Sequence, residues 1–375
     1  MLRDHIFIVF SKEHYNSLGI IRALGKYEIK PIYIAIKCKG PASRMSKYIE
    51  TVHLVESKEE GYKLLLEKYG KCDNKPFLIT SDDETQQMLD EHYSELIDKF
   101  YFFNAGMDGQ IKKYMDKENV LSIAKEHGLT IPKTIVVNKG DKIDDDLNYP
   151  VITKSISPNV GGWKKDVFIC NSKDELLKAL DEILSPRILI QEFIDKENEC
   201  CVEGISVENG KQIVIPMAIR YNYIIQGYYS PYMTAYPLKN KEAIDKIKAL
   251  MKDIGYEGLF DVEFLVGKDG TLYFTEINFR NSIWDYIGVA EGISFPLVWA
   301  ESVLSGKIDS KWEKGITKEY TAMVEPIDYG IRVKKGGLDL AKWLNDFKNT
   351  DIMFYHDQED LAPFEEMVKH WEIYS

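Results

Sequence analysis

Over the first hundred residues short apolar runs alternate with stretches of helical spacing, and few folds accommodate that order. His5–Phe10, Pro31–Lys37, Thr51–Val55, Pro76–Thr80 and Tyr101–Asn104 read as strands. Tyr15–Lys26, Lys58–Tyr69 and Asp82–Lys99 between them read as helices. Strands alternating with helices of this length predict a doubly wound parallel sheet. Ligands of such sheets sit beyond the carboxyl ends of the strands. Ser11-Lys12-Glu13 and Ser81-Asp82-Asp83-Glu84 are therefore expected to line a crevice. No G-x-G-x-x-G is present, which disfavours a dinucleotide.

Farther on the character changes to α+β. Two helical stretches are expected between Met107 and Gly128, the second opening near Asp116-Lys117. Pro132 and Pro150 then punctuate a set of short strands. Two long hairpins follow, separated by a helix over Lys241–Ile254, and a further helix is expected over Asp285–Leu304. A chain of 375 residues with 48 basic and 60 acidic side chains, net −12, is long enough for several lobes. It lacks the overall basic face that nucleic acids or anionic membranes require. Five cysteines without C-x-x-C spacing and seven scattered histidines support neither a zinc site nor a disulfide framework. Reduced thiols and the absence of a long apolar run fit a cytoplasmic protein, and Cys200-Cys201 reads as a packing pair.

The hairpin over Leu259–Asn281 carries the most chemistry. With a two-residue turn at Asp269-Gly270, Glu263 lies opposite Glu276 and Asp261 opposite Asn278. Alternation then puts Asp261, Glu263, Glu276, Asn278 and Arg280 on one face, continued by Leu265 and Phe274. Val262, Phe264, Val266, Tyr273, Ile277 and Phe279 form the other, core face. Two carboxylates about 4 Å apart at an effective dielectric near 20 repel by roughly 4 kcal/mol. A cation between them relieves this, and two carboxylates with an amide oxygen suit Mg²⁺. A second hairpin turning at Asn209-Gly210 sets Glu199 across from Arg220. Finally, Tyr149–Lys154 is a short apolar strand ending in a lysine, an arrangement that is costly unless the lysine meets an anion. The loop that follows, through Gly161-Gly162, could close its N–H groups over phosphates.

In chain order these pieces resemble the ATP-grasp superfamily, over about residues 107–306. The segments concerned are Asp116-Lys117, Y-P-V-I-T-K, I-L-I-Q-E-F-I, E-x-x-V-E-G from Glu199, D-V-E-F-L and T-E-I-N-F-R. Arg44–Tyr48 and Ala290–Pro296 resemble the carboxylate–amine ligases, a group that includes D-aspartate ligases and relatives of the carbamoyl-phosphate synthase large chain. The resemblance implies an N-terminal α/β domain (1–105) and an ATP-grasp fold of two α+β lobes (106–190 with linker helices, and 191–315). A C-terminal extension (316–375) follows; it either covers the site or forms a contact within a homodimer. Lys117 and Lys154 would contact ATP phosphates, Glu192 and Ile194 the adenine edge, and Glu199 the ribose. Glu263, Glu276 and Asn278 would hold Mg²⁺, or Mn²⁺ in its place. Arg280 would stabilise an acyl-phosphate or the tetrahedral intermediate, and Arg220 would clamp a carboxylate or phosphate. Phe279 stands where the family usually has proline, and Pro158, Asn159 and Trp163 stand where glycine is usual. The implied reaction joins a small-molecule carboxylate to an amine. A small-molecule kinase and a non-catalytic ATP-binding protein are the alternatives.

Overall fold

The computed structural model describes residues 2–38, 40–143, 146–156, 163–225, 227 and 229–374. They divide into two compact units. One comprises residues 1–111, 201–261 and 278–375, the other 112–200 and 262–277.

In the larger unit the expected parallel sheet is present. Its strands are β1 (Phe7–Lys12), β2 (Ile32–Ile36), β3 (Thr51–Val55), β4 (Phe77–Ile79) and β5 (Tyr101–Phe102), in the order β3-β2-β1-β4-β5. All four pairings are parallel. Phe7, Ile8, Val9 and Phe10 are all buried, as expected when helices cover both faces of a parallel sheet. The strand order reverses between β1 and β4, and that is where the two expected crevice segments meet. Ser11 Oγ lies 2.6 Å from Ser81 Oγ and donates to Asp82 Oδ2 at 2.9 Å. Asp82 also caps the next helix, accepting from Thr85 N. The helix expected over Asp82–Lys99 is broken at His92 into Asp83–Glu91 and Tyr93–Leu96.

The smaller unit holds an antiparallel sheet of β6 (Thr134–Asn138), β7 (Val151–Ser155), β8 (Ile169–Cys170) and β9 (Arg187–Glu192), ordered β6-β9-β7-β8. Along β7 burial alternates: Val151, Thr153 and Ser155 are buried, while Ile152 and Lys154 are only half-buried. Val151 joins Ile188, Ile190 and Leu176 in the apolar core of this unit. The strand's period of two therefore turns Lys154 to the other face.

The third sheet contains β10 (Lys196–Val207), β11 (Gln212–Tyr221), β12 (Tyr232–Tyr236), β13 (Gly258–Gly267), β14 (Leu272–Asn278), β15 (Tyr320–Met323) and β16 (Ile352–Met353). Their order is β14-β13-β10-β11-β12-β15-β16. The β13–β14 connection corrects the expected register. Gly267 N donates to Thr271 O at 2.9 Å, so the loop is Lys268-Asp269-Gly270, with Gly270 left-handed at φ 79. A three-residue loop of this kind absorbs one extra residue. Glu263 accordingly meets Thr275, whose Oγ1 donates to Glu263 O at 3.0 Å, instead of lying opposite Glu276. Phe274 packs edge-on against Phe264, so it belongs to the core face and not to the polar one. Phe279, in the place of the usual proline, is buried against Tyr256.

The single helix expected over Asp285–Leu304 is two pieces, Trp284–Glu291 and Phe295–Ser305. Gly292 at φ 78 ends the first and Pro296 opens the second. No single described helix is long and apolar enough to cross a membrane.

Candidate functional site

The smaller unit gathers charged groups from four separate segments. Helix Lys117–Glu126 is capped by Asp116, which accepts from Glu118 N and Asn119 N. The cap fixes Lys117 in the first turn, where its N–H donates to Ile156 O just past β7. The Lys117 ammonium pairs with Glu276 on β14, and Lys196 pairs with Glu199 at the start of β10. Lys154 stands close to all four of these groups and makes no ion pair among the described residues. Burial, with the Lys117 ammonium adding to it, pushes the Lys154 pKa down to about 8. Glu276, Lys196 and Glu199 act on it more weakly. Among the described residues three lysines thus stand beside two carboxylates, and a desolvated ammonium beside a like charge is stabilised by an incoming anion.

Glu192 ends β9, paired with Val151. Its N–H is committed to Lys133 O at 2.8 Å, and Ile194 lies half-buried two residues on. The loop over Pro158–Gly162, expected to cover phosphates, lies outside the described residues.

The remaining expected residues belong to the larger unit. Asn278 donates through Nδ2 to Asp261 Oδ1 at 3.0 Å. Arg280 donates through Nε to Asp83 Oδ1 at 2.8 Å, with Nη1 3.9 Å from Asp261 Oδ2. This ties the end of the hairpin to the crevice segment after β4. Arg280 also lies near His14, whose pKa is lowered to about 4 by desolvation of the ring and then by the guanidinium. Below them Glu203 and Asp285 are fully buried together. Burial, with the nearby Asp261 carboxylate adding to it, raises both pKa values, so the pair retains a proton. Arg220 departs from expectation. It forms a two-pronged pair with Glu319, at 2.9 and 2.6 Å, rather than with Glu199. Among the described residues no group of three or more His, Cys, Asp or Glu is arranged to hold a metal ion.

Residues 122–282 match the model of the ATP-grasp domain. That stretch, somewhat under half of the chain, is similar to ATP-grasp domains. The chain is 26% identical over 174 residues to a D-alanine–D-alanine ligase of Fusobacterium nucleatum, covering 44% of this chain and 55% of that enzyme. It is 23% identical over 340 residues to the D-alanine–D-alanine ligase of Geobacillus thermodenitrificans, covering 78% and 88%. Over its matched stretch the chain thus spans about half of the first enzyme and most of the second.

Among solved structures, N5-carboxyaminoimidazole synthetase from Staphylococcus aureus complexed with ADP superposes with a TM-score of 0.68. The sequence identity is 16%, and 92% of this chain and 86% of that one are covered. L-amino acid ligase from Bacillus licheniformis gives 0.63 at 15% identity, covering 84% and 79%. At these identities the structures establish the ATP-grasp fold.

Sequence reasoning missed Lys196, Asp83 as the partner of Arg280, and His14. Lys196 sits amid the charged run Asp195–Glu199, which reads as a solvated edge. The other two carry no local signal, since their partner Arg280 is more than 190 residues away.

Proposed function

We propose that this chain is an ATP- and Mg²⁺-dependent ligase that activates a carboxylate as an acyl-phosphate and joins it to an amine. The observation that carries the reading is Lys154 on β7, desolvated beside the Lys117 ammonium of the neighbouring helix turn, a setting that an incoming triphosphate stabilises. Kinship with the two D-alanine–D-alanine ligases and the fold shared with the L-amino acid ligase support the C–N ligation. In this reading Lys117 and Lys154 hold the phosphates as point charges. The Glu192–Ile194 backbone reads the adenine edge and Glu199, steadied by Lys196, takes the ribose.

Glu263, Glu276 and Asn278 would hold Mg²⁺. They offer two carboxylates and an amide oxygen, too few for a closed cage, which suits an ion that keeps positions for phosphate oxygens and water. When bound, Mg²⁺ neutralises phosphate charge; Mn²⁺ has the same donor preference. The substrate carboxylate attacks the γ-phosphorus and ADP leaves. The amine then displaces phosphate from the acyl-phosphate, releasing a proton, while Arg280 stabilises the oxyanion of the tetrahedral intermediate. Asp83 and Asp261 position that guanidinium. Arg220 would reach a ligand only after leaving Glu319. The setting we infer is the cytoplasm, where ATP is available.

The test is ADP and phosphate release from ATP over a panel of amino-acid pairs, with hydroxylamine added to trap an acyl-phosphate. Release that needs both organic substrates, with a hydroxamate formed when the amine is withheld, supports ligation. A stable phosphorylated product would replace this reading with a kinase, and nucleotide binding without any turnover would leave a binding protein.

A further inference from the structure

The larger unit contains a cavity of about 690 Å³ that the scheme above leaves without an occupant. It opens at the carboxyl end of β1, beside Glu13, His14 and Tyr15, where a parallel sheet of this type presents ligands. Its opposite wall comes from the C-terminal extension and from the segment around Tyr229. That wall is fastened down. Arg22, fully buried on the helix after β1, donates to Asp360 Oδ2 at 2.9 Å and to the carbonyls of Phe354, Tyr355 and Asp360. Glu325 accepts from the N–H groups of Tyr355 and His356. Tyr374 Oη accepts from Ala42 N at 2.9 Å. The cavity is therefore preformed, as small-molecule sites usually are.

Its lining is amphipathic. Tyr229, Tyr355, Ile327 and Ile331 supply aromatic and branched apolar surface. Glu13 is already held by Arg44 at 2.8 Å. Lys334 and Lys335 are both exposed, lie on a π-helical turn (Gly330–Lys335) and form no ion pair among the described residues. Such turns are rare and are found disproportionately at functional sites. In a chain of net charge −12, this mouth is locally cationic and selects an anion with an apolar body. A reacting carboxylate would be sequestered by these lysines, so the anionic group they hold is one that does not react.

We propose that this cavity binds the amine substrate, and that this substrate is an amino acid with an aromatic or branched apolar side chain. Its carboxylate rests on Lys334 and Lys335, and its side chain lies among Tyr229, Tyr355 and Ile331. This rests on the ligase reading for the role of the occupant, though not for its binding.

Binding is measured by calorimetry on the full chain with the L and D forms of phenylalanine and leucine, and with glycine and phenethylamine as controls. Phenylalanine or leucine is expected to bind at least tenfold tighter than glycine, which lacks the side chain, and phenethylamine, which lacks the carboxylate. Lys334→Ala/Lys335→Ala is expected to weaken that binding at least tenfold. Ile331→Trp, which fills the cavity, is expected to do the same while the protein keeps its melting temperature. The proposal is overturned if none of the four amino acids binds, or if both variants bind them as the wild type does. The two readings fail separately. Phenylalanine binding that responds to these variants, without ATP turnover on any pair, sinks the ligase and keeps the site. Turnover on small or acidic amino acids that neither variant alters keeps the ligase and sinks the site.

Discussion

Arg22 is fully buried and Lys154 half-buried, and the chain treats these two cations in opposite ways. Arg22 is wholly buried and meets one carboxylate and three carbonyls, all at 2.8–2.9 Å. Asp360 in turn accepts from Ser46 Oγ and Lys47 N. A buried charge so enclosed has nothing left to recruit, and its work is to hold the C-terminal extension against the first domain. Lys154 sits beside Lys117 with its charged form destabilised and no carboxylate of its own. In the reading proposed above, the difference separates a structural cation, satisfied by the fold, from one that a ligand would satisfy.

Substitution should divide the two cleanly. Removing one partner of an enclosed pair strands the other charge, so Arg22→Ala should destabilise by about 3–5 kcal/mol. Urea unfolding reads this, and Asp360→Asn should cost less than Arg22→Ala and add little to it. Glu276→Gln should lower turnover by about 10²-fold or more through loss of metal and lysine partnering, with an unfolding midpoint close to wild type; wild-type activity would remove Glu276 from the site. Lys154→Met should weaken ATP binding at least tenfold while leaving the ligand-free protein as stable or more stable at neutral pH.

The pH dependence sharpens the same contrast. The folded Lys154 pKa, about 8, lies below its ordinary 10.5, so between these values the unfolded chain holds the extra proton. Stability contributed by this site therefore rises with pH from about 8 to 10.5. Subtracting the Lys154→Met profile from the wild-type one should isolate that rise, and a flat difference would mean that Lys154 is not desolvated. The smallest effect belongs to Arg220→Ala. Its partner Glu319 is exposed, and such pairs contribute under about 1 kcal/mol.

The sequence made the two halves of this contrast unequally visible. Lys154 was legible because a lysine closing the apolar strand Val151-Ile152-Thr153 conflicts with its surroundings, and that conflict is local. Arg22 lies within a helical apolar stretch and looks like a surface charge, since its partner Asp360 is 338 residues away. The parallel sheet was legible for the same reason as Lys154: each strand and helix announces itself within a dozen residues. The hairpin face was read one residue out of register, because Asp269-Gly270 serves a two-residue and a three-residue loop equally well. Only the Gly267–Thr271 closure distinguishes them. Arg280 stands out through its motif, but its neighbours Asp83 and His14 come from another part of the chain and leave no mark beside it.

Calorimetric titration of a non-hydrolysable ATP analogue with Mg²⁺ into the wild type, Lys154→Met and a conservative Arg22→Lys variant separates the two cations. Tight binding is expected for the wild type, at least tenfold weaker binding for Lys154→Met, and near-wild-type affinity in whatever fraction of Arg22→Lys remains folded. Equal affinity for the wild type and Lys154→Met would mean that Lys154 holds no phosphate.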